Sequence, residues 1–216
     1  QVTPLHFRDK LGNHRVVMGG QVLNATGQLM WRVAPGPDGE MPVTHAVADF
    51  EANGEPGIVI SLKSGGQSSS RPYLARYRSD GVQVWRRQLR GHTDGSAPTV
   101  VDFTGDGRLD ILIVGIFDAY LFDADGQELW RIPVVNGGSD SVPAAAFDFN
   151  DDGRVEAVIT DHQQLLIVDG PTGSVLQART HGSRTSNEYP VIADIDGDGH
   201  AELLVTSDDF TKPGIR

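Results

Sequence analysis

A chain of 216 residues with 18 Lys and Arg against 29 Asp and Glu carries a formal charge of -11. That sign argues against recognition of nucleic acid through its phosphates, which needs a basic face. With no Cys, disulfides, zinc–thiolate centres and thiol nucleophiles are excluded together, and no run reaches the roughly 18 apolar residues of a membrane span.

Taken in chain order, the elements repeat. Arg15 to Met18 predicts a strand and Gln21 to Val33 a hairpin. The hairpin's turn, Asn24-Ala25-Thr26-Gly27, is a glycosylation sequon, but Asn is favoured in such a turn for its own hydrogen bonding. THAVADFEANGEPGIVISL, from Thr44, predicts a strand, an acidic turn opened by Asp49, and a second strand. The polar segment Lys63 to Pro72 reads as a loop insertion, and RYRSDGVQVWRRQL as a hairpin. From Ala97, APTVVDFTGDGRLDILIVG predicts strands over Pro98 to Phe103 and Leu109 to Val114. A hairpin over Ala119 to Asp123 and Glu128 to Pro133 follows. VPAAAFDFNDDGRVEAVITD, from Val142, and its hairpin VDGPTGSVLQART repeat the unit. YPVIADIDGDGHAELLVTSD, from Tyr189, begins it once more and stops at Ser207-Asp208-Asp209-Phe210 and a short tail.

Self-similarity at a fixed period is the primary fold signal. Asp102, Asp148 and Asp194 are each 46 residues apart, and Asp49 lies 53 residues before Asp102. Trp31, Trp85 and Trp130 each stand four residues after a turn glycine, with Gln177 in the corresponding place of the fourth copy. Their fixed place after each hairpin predicts packing between neighbouring repeats rather than stacking on a sugar. Four short strands per 40–50 residues is the period of a β-propeller blade. Runs such as Ile111-Leu112-Ile113-Val114 suit a strand covered on both faces. The expected fold is therefore all-β, a single propeller segment over 1–216. Its blades fall at about 1–40 (worn), 41–93, 94–140, 141–186 and 187–216 (partial), roughly four and a half blades of a larger ring. Beginning at Gln1 with no secretory leader, the chain reads as a mature or trimmed product.

The chemistry lies in the turn between the first two strands. The loop Asp194-Ile195-Asp196-Gly197-Asp198-Gly199-His200-Ala201-Glu202 carries acids at positions 1, 3, 5 and 9. Calcium takes 6–8 oxygen ligands at about 2.3–2.6 Å. Alternate side chains and the carbonyl of position 7, His200, can supply them. The second copy offers Asp102, Thr104, Asp106, the Arg108 carbonyl and Asp110, and the third Asp148, Asn150, Asp152, the Arg154 carbonyl and Glu156. About three calcium sites are expected, the four-acid loop binding tightest. Asp49, Glu51 and Asn53 form a weak site, because Gly57 replaces the ninth-position acid. Asp, Asn and Gly favour turns without any metal, but three in-register copies, each closed by an acid, point to a cation. Magnesium would demand stricter octahedral geometry, and zinc His or Cys.

At these residues the chain resembles the FG-GAP/VCBS repeat family, whose signature is an apolar strand, a DxDxDG loop and a second apolar strand. Related loops occur in integrin α-subunit propellers. The resemblance covers about residues 41–210 and implies a propeller, calcium in its loops, and an extracellular or cell-envelope location. It implies no single activity, because the scaffold hosts adhesins, lectin-like proteins and enzyme domains.

The resulting expectation is an interaction module binding an unidentified protein or glycan through its blade loops, with no nucleic acid and no membrane insertion. The alternatives are a purely structural spacer and a polysaccharide lyase resembling the family 11 rhamnogalacturonan lyases, also built on a calcium-rich propeller. A lyase would draw on His45, His92, His162 and His181 and on arginines such as Arg71, Arg76 and Arg184, which form no recognisable constellation in sequence. No GxSxG, HExxH or phosphate-cradling Gly loop is present.

Overall fold

A computed structural model describes residues 4–34, 39–63, 72–91, 96–136, 144–180 and 189–205. Ser207 to Phe210, most of the Lys63–Pro72 insertion, Arg71, His92, His181 and Arg184 lie outside these residues. The described chain is all strand and turn. The first sheet is β1 (Leu5–Arg8), β2 (His14–Met18), β3 (Gln21–Asn24) and β4 (Leu29–Arg32). The second is β5 (Met41–Ala48), β6 (Gly57–Lys63), β7 (Tyr73–Tyr77) and β8 (Gln83–Gln88). The third is β9 (Thr99–Val101), β10 (Asp110–Val114), β11 (Asp118–Phe122) and β12 (Glu128–Pro133). The fourth is β13 (Ala144–Phe147), β14 (Glu156–Thr160), β15 (Gln164–Val168) and β16 (Val175–Thr180). β17 (Val191–Ala193) and β18 (Glu202–Leu204) make a two-stranded fifth sheet. Strands consecutive in sequence are neighbours within each sheet, and all pairings are antiparallel. First strands of successive sheets lie side by side, β1 by β5, β5 by β9, β9 by β13 and β13 by β17. Among the described residues the sheets fan about that line of strands without closing a ring.

The core lies between blades, not within them. Successive side chains of a strand point to opposite faces. Ile111 and Ile113 accordingly join Phe50, Val59, Leu74 and Trp85 of the second blade. Leu112 and Val114 join Ala157, Ile159, Leu166 and Val168 of the fourth. Both faces of β10 are buried, which is the physical reason for its uninterrupted apolar run. Burying each such side chain stabilises by about 1.5–3 kcal/mol.

Each hairpin turn is spaced for its neighbour. Trp31 Nε1 donates to the Ser79 carbonyl at 2.7 Å, Trp85 Nε1 to Ala124 at 2.8 Å and Trp130 Nε1 to Gly170 at 2.6 Å. Each acceptor lies in the following blade, so the tryptophans are inter-blade contacts. The sequon asparagine serves its turn: Asn24 Oδ1 accepts the Thr26 and Gln28 N–H groups at 3.0 and 2.9 Å.

Several boundaries differ from expectation: β9 is Thr99–Val101 rather than Pro98 to Phe103, and β11 is Asp118–Phe122 rather than Ala119 to Asp123. The second strand of the third blade starts at Asp110 rather than Leu109, which draws the ninth-position acid into the ladder opposite Val101. The first blade also has a first strand, β1, ending in a turn opened by Asp9. Its link to β2 spans only 9–13, against 102–109 in the third blade, so a gapless repeat misses it.

Candidate metal centre

The three acidic loops share one backbone-driven construction. In the third blade the first-position carboxylate folds the loop around itself. Asp102 Oδ1 accepts the Gly105 and Asp106 N–H groups at 2.7 and 3.2 Å, and Oδ2 accepts that of Gly107 at 2.8 Å. Asp148 accepts from Asp152 and Gly153 at 3.2 and 2.8 Å. Asp194 accepts from Gly197 and Gly199 at 2.7 and 3.0 Å. The fifth position caps the seventh: the N–H groups of Arg108, Arg154 and His200 donate to Asp106, Asp152 and Asp198 at 2.7, 2.8 and 2.8 Å.

The ninth-position acid ties the loop to the strand. Asp110 Oδ2 accepts the N–H groups of Phe103 and Thr104, both at 3.0 Å, and the Thr104 hydroxyl at 3.1 Å. Glu156 accepts the Phe149 N–H at 2.8 Å and Asn150 Nδ2 at 3.4 Å, and Glu202 accepts the Ile195 N–H at 2.7 Å. Asp110 and Glu156 are each only 2% exposed. Burial pushes the Asp110 carboxyl above the usual carboxylate range, against the hydrogen bonds from Thr104 and Phe103 and with help from the Asp106 charge. Burial raises Glu156 as well, opposed by the Phe149 N–H and reinforced by Asp148, Asp152 and Asp169. A buried carboxylate without a countercharge is costly. Asp110 and Glu156 are thus where a cation would be worth most.

In the fifth blade, oxygens of Asp194, Asp196 and Glu202 all lie within 4.8 Å of one another. Asp198 stands outside that group. The acids of the third and fourth loops do not draw together to this distance among the described residues. A set of carboxylates, amide and hydroxyl oxygens and backbone carbonyls is hard-oxygen chemistry, suited to calcium or magnesium rather than to zinc or copper.

The second loop is built differently. Asp49 holds Asn53 and Gly54 N–H at 3.1 and 2.6 Å, but Glu51 turns to the Arg76 guanidinium. In the first blade, Asp9 accepts Asn13 N–H at 2.8 Å and Arg15 at 2.7 Å. Burial works upward on Asp9, yet the Asn13 hydrogen bonds and the Arg15 charge outweigh it and hold the carboxyl low. Sequence reading missed the Asp9 turn and the entry of Arg76. The available signal was an arginine where other blades carry aliphatic residues. Of the lyase candidates, His45 sits half-buried on β5 with its imidazole pushed below the ordinary value by burial. His162 donates its backbone N–H to the Val135 carbonyl at 3.0 Å.

Four-stranded sheets fanned around their first strands, with an acidic loop between the first and second strands, define a repeat propeller blade of the acidic-loop type. A family profile described as FG-GAP-like repeat matches residues 49–113 and 148–205, more than half of the chain. The chain belongs to the FG-GAP-like repeat family. No curated protein matches it.

Among similar solved structures, the V. cholerae biofilm matrix protein Bap1 aligns with a TM-score of 0.76 at 16% identity. The alignment covers 96% of this chain and 60% of that one. The Dos1 propeller aligns at 0.55 and 12% identity, over 95% and 54% of the respective chains. The Bacillus licheniformis rhamnogalacturonan lyase PL11 aligns at 0.52 and 15% identity, over 95% and 55%. These likenesses establish the β-propeller fold. The chain spans about 60% or less of each of these proteins. No helix among the described residues is long and apolar enough to cross a membrane.

Proposed function

We propose that this propeller is a calcium-braced interaction module of a secreted or cell-surface protein, presenting its blade loops to a protein or a glycan. The observation that carries the calcium reading is the convergence of Asp194, Asp196 and Glu202 oxygens within 4.8 Å. Asp194, Asp196 and Glu202 would hold the ion in the fifth loop, with Asp198 and the His200 carbonyl available to complete the shell. In the other two loops the holders would be Asp102, Thr104, Asp106, Asp110 and the Arg108 carbonyl, and Asp148, Asn150, Asp152, Glu156 and the Arg154 carbonyl. Bound there, calcium would supply positive charge to the buried Asp110 and Glu156. The likeness to a biofilm matrix protein supports the extracellular setting.

A second reading, a polysaccharide lyase, draws support from the likeness to a rhamnogalacturonan lyase. Calorimetric titration of the chelator-stripped chain with calcium tests the metal, and a flat titration sinks it. Chelator-sensitive retention on a glycan array supports the module. New ultraviolet absorbance from unsaturated sugars on incubation with pectic substrates would favour the lyase instead. Silence in both ligand assays would leave a structural spacer.

A further inference from the structure

The two loops without a ninth-position acid have something the others lack. Strand register aligns the blades residue by residue. The residue just before the first loop aspartate pairs with the ninth-position residue: Val101 with Asp110, Phe147 with Glu156, Ala193 with Glu202. The same pairing places Gly57 opposite Ala48 and His14 opposite Arg8. On β7, Arg76 precedes Tyr77, which pairs with Ile58. Leu121 stands in the same relation on β11, one before Phe122, which pairs with Ile111. In the fourth blade the residue is Ile167, one before Val168, which pairs with Ala157, and in the first it is Leu23. Arg76 is thus a cation in a place that is aliphatic in three other blades. Its side chain is 3% exposed, and it is kept there despite the cost of burying charge.

The guanidinium is spent on the loop. It pairs with Glu51, the third-position acid, and stacks 4.4 Å from the Phe50 ring centroid. Nη1 donates to the Ala124 carbonyl of the next blade at 3.0 Å. The first blade keeps Leu23 at the place of Arg76 but carries a cation on its second strand, Arg15. It pairs opposite Phe7, at the register of Ile58, Ile111 and Ala157, and meets Asp9 at 2.7 Å. Access does not close the second loop. A cavity of about 320 Å³ beside Arg76 is lined by Asp49, Glu51, Arg108 and Asp125.

We propose that Arg76 is the resident cation of the second loop and Arg15 that of the first, each filling by its guanidinium the role a divalent ion plays in the other loops, so that calcium tightens only the third to fifth blades. This rests on the calcium reading above and divides the propeller into a metal-independent N-terminal part and a metal-dependent remainder.

Hydrogen exchange on the whole chain, with about 1 mM calcium or with chelator, tests it. Calcium should slow amides of 102–110, 148–156 and 194–202 and leave 9–14 and 49–57 unchanged. Arg76→Leu, which restores the residue of the third blade, should speed the Asn53 and Gly54 amides roughly tenfold in chelator, as loss of a charge-assisted pair predicts. Arg15→Ile should do the same at Leu11 and Asn13. Calcium protection of 49–57 in the native chain would overturn the proposal, as would Arg76→Leu amides exchanging at the native rate in chelator. If calcium slowed no loop at all, the proposed function would fail, while the chelator arm would still decide whether Arg76 is the second loop's cation.

Discussion

At the fourth position of each acidic loop the backbone is left-handed, and the residue there sets a local cost. Gly105 and Gly197 take it at φ 75° and 77°, Asp151 at 58° and Ala52 at 49°. Alanine gains nothing locally from that conformation, whereas Asp can hydrogen-bond within the turn. Ala52→Gly should therefore stabilise the chain by about 1 kcal/mol, seen as a raised urea midpoint at unchanged slope. His45 makes a separate residue-scale prediction. Burial depresses its folded value, so the unfolded chain binds more protons over the window below about pH 6.5. Stability then rises with pH through that window and is lost as pH falls. Replacing His45 by Gln should flatten the midpoint difference between pH 5.5 and 7.5. An unchanged difference would place the acid sensitivity elsewhere.

At the scale of elements, each blade is finished by the next. A Cβ on Gly126 would lie 2.6 Å from Trp85 Cδ2, and one on Gly173 2.7 Å from Trp130 Cγ. Trp85→Ala should cost about 3–5 kcal/mol by emptying the face between the second and third blades. Gly126→Ala should cost at least about 1–2 kcal/mol from its positive φ alone. The double variant should lose less than the sum of the two, because both act on one contact. Denaturant midpoints of the three variants measure this, and simple additivity would mean that ring and turn do not meet. Trp85 could be placed between blades from its period, but its partner could not, because Gly126 is 41 residues away. β16, which carries Gln177 in the tryptophan's place, is exposed along its length.

For the whole molecule, the proposed calcium sites couple loop chemistry to global stability. A ligand at a hundredfold its dissociation constant contributes about 2.7 kcal/mol per site. Calcium should therefore raise the melting temperature, and the paired change Asp194→Ala and Asp198→Ala should remove most of the fifth loop's share. A double variant that responds to calcium like the parent would show that this loop is not the dominant site. The all-β repeat and the acidic turns opened by Asp49, Asp102, Asp148 and Asp194 were legible in the sequence, whereas β1 and the Asp9 turn were not. Period-two burial, turn glycines and loop carboxylates act over a few residues and leave a repeating trace. Three features were settled only in space: which carboxylates draw together, which carbonyl each tryptophan reaches, and that Arg76 enters the second loop. Each depends on segments brought together by packing between sheets, and no local propensity encodes that approach.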